Sequence, residues 1–184
     1  MVERARPFTV QDYMALDDDQ RCQVVGGVLH VSPAPTSRHQ RCVVTLVRLL
    51  DGFVAARRLG LVFVAPTDVV LSELDVVQPD VLFVSEARRH IARKRGIEGA
   101  PDLVVEVLSP STETLDRRGK VSAYAAAGVS EHWLVDLDEE RVEVRRGPGL
   151  PLVESVGSGG QVTTPLLPGL TLAVDALVPP ELPG

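Results

Sequence analysis

Apolar positions along the chain fall into two periods. Val43, Val47, Leu50 and Val54 recur at three- and four-residue steps, with Leu46 and Phe53 beside them. That spacing predicts a long helix over residues 37–59, with Arg38, Arg41, Arg48 and Arg57 on its other face and Gly60 as its stop. A second helix is predicted over 112–127, ended by Gly128, and a short one over 9–16 with Thr9 as N-cap. Elsewhere the apolar residues form short Val- and Leu-rich runs, which read as strands. Cys22-Gln23-Val24-Val25 and Val28-Leu29-His30-Val31 flank Gly26-Gly27. Glycine takes positive φ at little steric cost, so this pattern predicts a hairpin. Further strands are predicted at 61–64, 68–71 and 76–84, the last interrupted by Pro79 and so at an edge or a strand start. Residues 102–108 form a strand stopped by Ser109-Pro110, and 131–135 with 141–144 form a hairpin. Weaker strands are read at 152–156, 161–164 and 170–174, and the Pro-rich tail from about 176 reads as irregular. This order predicts an α/β (α+β) fold: a mixed sheet flanked by helices, with an N-terminal helix and hairpin extension.

The length, 184 residues, predicts one domain over 1–184. Cys22 and Cys42 make no disulfide framework and lack zinc-site spacing. No apolar run reaches the ~20 residues of a membrane span, and residues 1–7 lack a signal-peptide core, so a cytoplasmic location is expected. With 19 Lys+Arg against 25 Asp+Glu, the net charge of −6 argues against coating nucleic acid by bulk charge. It leaves open an enzyme that meets phosphates through a local basic strip or through metal ions in a carboxylate pocket. Arg88, Arg89, Arg93, Lys94 and Arg95 could be such a strip or simply a solvated face.

Glu106 carries the sharpest chemical signal. It projects to the same face as Val104 and Leu108 in a strand apolar on both sides. An ionised carboxylate there costs several kcal/mol unless a proton, a cationic side chain or a metal compensates it. Asp80 poses the same question at the head of Val81-Leu82-Phe83-Val84. Two such acids side by side repel by about 4 kcal/mol at an effective dielectric near 20. A divalent ion reverses that sign, and Mg²⁺ suits one or two carboxylates with water and a substrate phosphate. Lys120, four residues after Asp116 on the following helix, could aim an ammonium at this pocket. Read singly, Asp80 is a turn acid after Pro79, and Lys120 is a surface partner of Asp116.

Asp80, Glu106 and Lys120 in this order resemble the PD-(D/E)XK nuclease superfamily, which has the restriction-endonuclease-like fold. Pro79-Asp80 fits the first part, whereas Leu108 stands where the lysine usually does, so Lys120 would supply the amine from the next helix. A closer resemblance, to the Uma-type family of restriction endonucleases, covers most of the chain. It is carried by Val77-Gln78-Pro79-Asp80-Val81 and by the run from Gly99-Ala100-Pro101-Asp102 through Glu106 to Ser109-Pro110-Ser111-Thr112. Asp116, Lys120, Tyr124 and Gly128-Val129-Ser130-Glu131-His132-Trp133-Leu134-Val135-Asp136 complete it. The resemblance implies a phosphodiesterase using Mg²⁺ or Mn²⁺ on nucleic acid, with DNA the expected partner. Asp80, Glu106 and the Val107 backbone carbonyl would hold the ion, and Lys120 would act on water or the transition state.

Gln23 and Gly26 stand where the family often carries Glu and Asp. Gln23 can ligate only without charge, so a nuclease-fold module that binds nucleic acid or protein without turnover is the rival reading. His39 falls where the family tends to place a histidine, as a contact to substrate or water; Asp116 and Tyr124 are accessory candidates. An exposed sheet edge and an apolar C-terminal segment leave a homodimer open.

Overall fold

A computed structural model describes residues 6–16 and 22–181. The predicted tail residues 182–184 lie outside the described residues. The N-terminal helix is α1, Val10–Met14, capped by Thr9. The Gly26-Gly27 hairpin forms as expected from β1, Cys22–Val25, and β2, Val28–Val31. The long helix, α2, spans Ser37–Arg57. Thr36 caps its start, and Arg58 closes it in the left-handed region at φ 56. Gly60 follows as β3 (Gly60–Val64) begins, where a Cβ would collide with the Val84 carbonyl oxygen. Its glycine is required by that close approach rather than by the helix end.

The predicted strand at 76–84 divides in two. β4 (Val69–Ser72) and β5 (Asp75–Val77) belong to one sheet, and β6 (Val81–Ser85) belongs to another. The chain crosses between the sheets at Gln78-Pro79-Asp80, where proline has no ladder bond to lose. A 3₁₀ turn, Glu86–Ile91, leads into a small hairpin of β7, Ala92–Arg93, and β8, Gly96–Glu98. The buried strand is β9, Leu103–Val107. The next helix opens as a π-helical turn, Leu115–Lys120, and continues as α3, Val121–Ala127. β10 (Glu131–Asp136), β11 (Arg141–Arg146), β12 (Leu152–Gly157), β13 (Gln161–Thr163) and β14 (Thr171–Ala173) follow.

The tail reading is corrected at its start. Residues 176–177 are the end of α4, Val174–Leu177, because Val174 and Leu177 are fully buried against the core under α2.

One six-stranded sheet runs β12-β11-β10-β9-β6-β3 and a second runs β2-β1-β5-β4-β8-β7; β13 and β14 form a separate ribbon. β9 and β10 pair in parallel, which the π turn and α3 between them permit as a crossover. Every residue of β9 is buried, as a strand covered on both faces requires. Leu103, Val105 and Val107 pack with Cys42, Leu46, Leu50 and Val54 of α2. Val104 lies in the other cluster, with Tyr124 of α3 and Val25, Val69 and Ile97 of the second sheet. Glu106 therefore points into the layer between the first sheet and α3. Cys22 and Cys42 are both free and buried. Among the described residues no helix is long and apolar enough to cross a membrane.

Candidate active site

Three elements deliver the predicted chemistry to one place. Asp80 lies on the crossover before β6, Glu106 is the fourth residue of β9, and Lys120 ends the π turn. β6 and β9 are antiparallel, so the start of one meets the end of the other. The Val107 backbone N–H donates to Asp80 Oδ2 at 2.8 Å, which fixes Asp80 beside the residue after Glu106. Asp80, Glu106, Lys120, Asp116, His39, Gln23 and Val107 all line a cavity of about 230 Å³. Its walls are Pro33-Ala34-Pro35-Thr36 and Ser109-Pro110-Ser111-Thr112.

Lys120 Nζ lies 3.1 Å from Glu106 Oε1 and 2.9 Å from Asp116 Oδ1. All three residues are buried, at 3%, 2% and 2% relative exposure. The Tyr124 hydroxyl donates to the same Glu106 Oε1 at 2.6 Å. Thr112 Oγ1 donates to Asp116 Oδ2 at 2.6 Å, so Asp116 stands between a hydroxyl and the ammonium. Sequence reasoning named Asp116 and left the Thr112 contact unread. The available signal was the Ser109-Pro110-Ser111-Thr112 hydroxyl cluster just before a predicted helix.

Burial pushes the Glu106 carboxyl well above the ordinary carboxylate range, and the Lys120 charge pulls it back only in part. Burial also opposes the Lys120 charge, but Glu106 and Asp116 outweigh it and hold the ammonium protonated. The two shifts agree once the charges are taken together. One ammonium faces the Glu106 and Asp116 carboxyl groups, and Asp80 adds to the field that both Glu106 and Lys120 experience.

His39 Nε2 lies 3.2 Å from Asp80 Oδ2. Burial disfavours the imidazolium, but this bond and the Asp80 charge raise its pKa above the ordinary value. A raised value means that the pair stabilises the fold fully below about pH 6.5, the unfolded histidine value, and loses that contribution as pH climbs through the folded value. Urea unfolding of the metal-free protein should therefore show stability falling from pH 6.5 upward. His39→Gln should flatten that part of the profile.

Gln23 reaches the cavity wall, but its amide is spent on neighbours. Its Oε1 accepts from the Gln78 backbone N–H at 2.9 Å and its Nε2 donates to Ser32 Oγ at 2.9 Å. Gly26 is a turn residue at φ 58 and does not line the cavity.

The basic strip does not line the cavity either. Glu86–Ile91 follows the far end of β6, opposite Asp80, whereas the 94–95 turn precedes Gly96, which lies against Asp68, a hydrogen-bond partner of Gln78 on the cavity wall. Arg88 pairs with Asp102, Arg89 with Glu86 and Arg93 with Glu98.

Among the described residues, both recorded bonds to Glu106 fall on Oε1 and both to Asp80 on Oδ2. Each acid therefore keeps one oxygen free for a further partner. No group of three or more His, Cys, Asp and Glu side chains among the described residues is arranged to hold an ion. The acid share here is two carboxylates, an all-oxygen set suited to a hard cation that keeps several waters.

A family model, Uma2, described as "Putative restriction endonuclease", matches residues 10–175. Among solved structures, "a putative nuclease belonging to DUF820" from Anabaena variabilis aligns with a TM-score of 0.78 at 22% sequence identity, covering 94% of this chain and 98% of that one. At that identity the likeness is one of fold. No curated protein matches the chain.

Proposed function

The chain belongs to the Uma2 family, whose model is described as "Putative restriction endonuclease", and from that premise we propose that it is a metal-dependent nuclease that hydrolyses nucleic-acid phosphodiester bonds, DNA foremost. The observation that supports this reading is the meeting of Asp80, Glu106 and Lys120 in one cavity, with a free oxygen on each acid. Asp80, Glu106 and the Val107 carbonyl would hold Mg²⁺ or Mn²⁺. When bound, such an ion acidifies water and neutralises charge on the phosphate.

The chain's own residues do the rest. The His39 bond to Asp80 and the Tyr124 bond to Glu106 orient the two acids. Lys120 is held charged by Glu106 and Asp116, so its role is to donate hydrogen bonds to the attacking water or a phosphate oxygen, not to remove a proton. Thr112 and Asp116 set the direction of that ammonium.

A second reading, a nuclease-fold module that binds without turnover, draws on Gln23, whose amide is already engaged and uncharged. Calorimetric titration with Mn²⁺ and cleavage assays on circular, linear and single-stranded DNA separate the two. The nuclease reading expects a binding heat that Asp80→Asn diminishes, and cleavage that Glu106→Ala eliminates. Silence at millimolar Mn²⁺, or cleavage unchanged in Glu106→Ala, would reject it.

A further inference from the structure

Arg117 makes ion pairs that the proposed chemistry does not use. Its Nε donates to Glu113 Oε1 at 2.8 Å, its Nη2 to Asp136 Oδ2 at 2.7 Å and its Nη1 to Glu143 Oε1 at 2.7 Å. One guanidinium thus ties the π turn to the end of β10 and to the middle of β11. Arg117 itself does not line the cavity.

Sheet register shows what these bonds span. Glu106 pairs with Leu134 and Leu134 with Glu143, so the three project from one face in a row across β9, β10 and β11. Asp136, two residues after Leu134, shares that face. Two strand spacings put the Glu143 backbone about 10 Å from that of Glu106. A helix with its side chains is about 10–12 Å across, so one turn can straddle the row. The π turn does so: Lys120 pairs with Glu106 on one flank, and Arg117 pairs with Glu143 and Asp136 on the other.

Winding decides which side chains share the inner flank. Asp116, Lys120 and Tyr124 follow one another at four-residue steps. In a regular α-helix the first and the last would drift apart by about 80° around the axis. A π turn closes over five residues instead of four, turns less per residue and so cancels part of that drift. Lys120 accordingly reaches both Asp116 and Glu106, and Tyr124 reaches Glu106. Such turns are rare and need support from outside the helix. The Lys120–Glu106 pair is a poor standing anchor, because Lys120 serves water or a phosphate oxygen during turnover.

We propose that Arg117 is a positioning residue: fixed on Asp136 and Glu143 outside the cavity, it holds the π turn in the winding that presents Asp116, Lys120 and Tyr124 together to Glu106. The reaction it serves is that of the nuclease reading, on which this assignment rests.

The test is steady-state cleavage of DNA with Mg²⁺ by the full chain and its variants. Arg117→Met keeps the stem and removes the guanidinium. Its kcat should fall by about 10- to 100-fold, the usual cost of losing an outer support, with KM unchanged. Arg141→Met is the control. Arg141 approaches the same two acids at 3.7 Å from β11 itself, without a bond to the turn among the described residues, so its kcat should match wild type. Arg117→Lys keeps the charge without the fork and should fall between Arg117→Met and wild type. It also serves if Arg117→Met does not fold, since a wild-type kcat in Arg117→Lys would overturn the anchor. Equal kcat in Arg117→Met and Arg141→Met, high or low, would overturn it as well.

A second readout needs no cleavage. Arg117 and Tyr124 lie about 10 Å apart along the helix axis, and shifts in urea midpoint at sites so separated ordinarily add. Arg117→Met combined with Tyr124→Phe should fall short of the sum, because a turn already loosened has less to lose at Tyr124. If wild type cleaves no DNA while the shifts are non-additive, the nuclease reading fails and the anchor stands. Additive shifts without cleavage sink both. If cleavage occurs and Arg117→Met turns over like Arg141→Met, the anchor alone fails.

Discussion

Glu106→Gln should lose catalysis by roughly 10³-fold or more in kcat while keeping the fold intact. The magnitude follows from the several kcal/mol that an ion supplies to a charged transition state, at 1.36 kcal/mol per decade. The substitution removes the charge and keeps the shape. Glutamine Oε1 can still accept from the Tyr124 hydroxyl, and Lys120 keeps Asp116. Stability should not suffer, and the sign of the pKa shift says why. A carboxyl whose folded value is raised favours its neutral form in the fold, so its ionisation costs stability as pH rises past the unfolded value. The amide resembles that neutral form. Urea midpoints at pH 7–8 should be equal to or above wild type, and Mn²⁺ calorimetry should show weakened binding. Cleavage retained within tenfold would remove Glu106 from the active site.

Lys120→Ala should behave in the opposite way. Among the described residues it takes the one ammonium from a cavity that then holds Glu106 and Asp116, both nearly inaccessible, with Asp80 near. Breaking a buried pair by removing one partner costs about 3–5 kcal/mol. Part of that loss should return with Mn²⁺, because an ion that binds only the folded state stabilises it by about 2.7 kcal/mol at 100 times its Kd. Urea unfolding in EDTA and in excess Mn²⁺ checks both statements. A loss under about 1 kcal/mol in EDTA would mean that the ammonium does not balance the acids. The comparison separates the two roles: one variant keeps the fold and loses turnover, while the other loses both and regains stability with metal.

The convergence of Asp80, Glu106 and Lys120 was legible because each sits in a locally readable context. An acid in an all-apolar strand, an acid after proline and a lysine on the next helix can be placed from periodicity. Family order then joins them. The His39 bond to Asp80 was only half legible: the residue stood out, but nothing local says that the first turn of α2 meets the crossover before β6. The second sheet was not legible as a sheet. β4 pairs in parallel with β8 across 27 residues, from Val69 to Ile97, and both strands are short. Such pairing is decided by tertiary contacts rather than by propensity. The basic strip was readable as charge and not as position. Its place depends on which end of β6 it follows and on the pairing of β8 with β4, and both are properties of topology.

β12, an edge strand of the sheet that holds β9, has a consequence for how the protein behaves in concentrated solution. Leu152 and Val153 are half exposed, and among the described residues the backbone on its outer side faces no neighbouring strand. An open rim of this kind is a template for self-association. What blunts it here is small: Glu154 within the strand, Pro151 just before it and the register break at Val144/Arg145 on its partner. Protection of this edge against self-pairing therefore leans, among the described residues, on one carboxylate, one ring and one register break rather than on a covering strand.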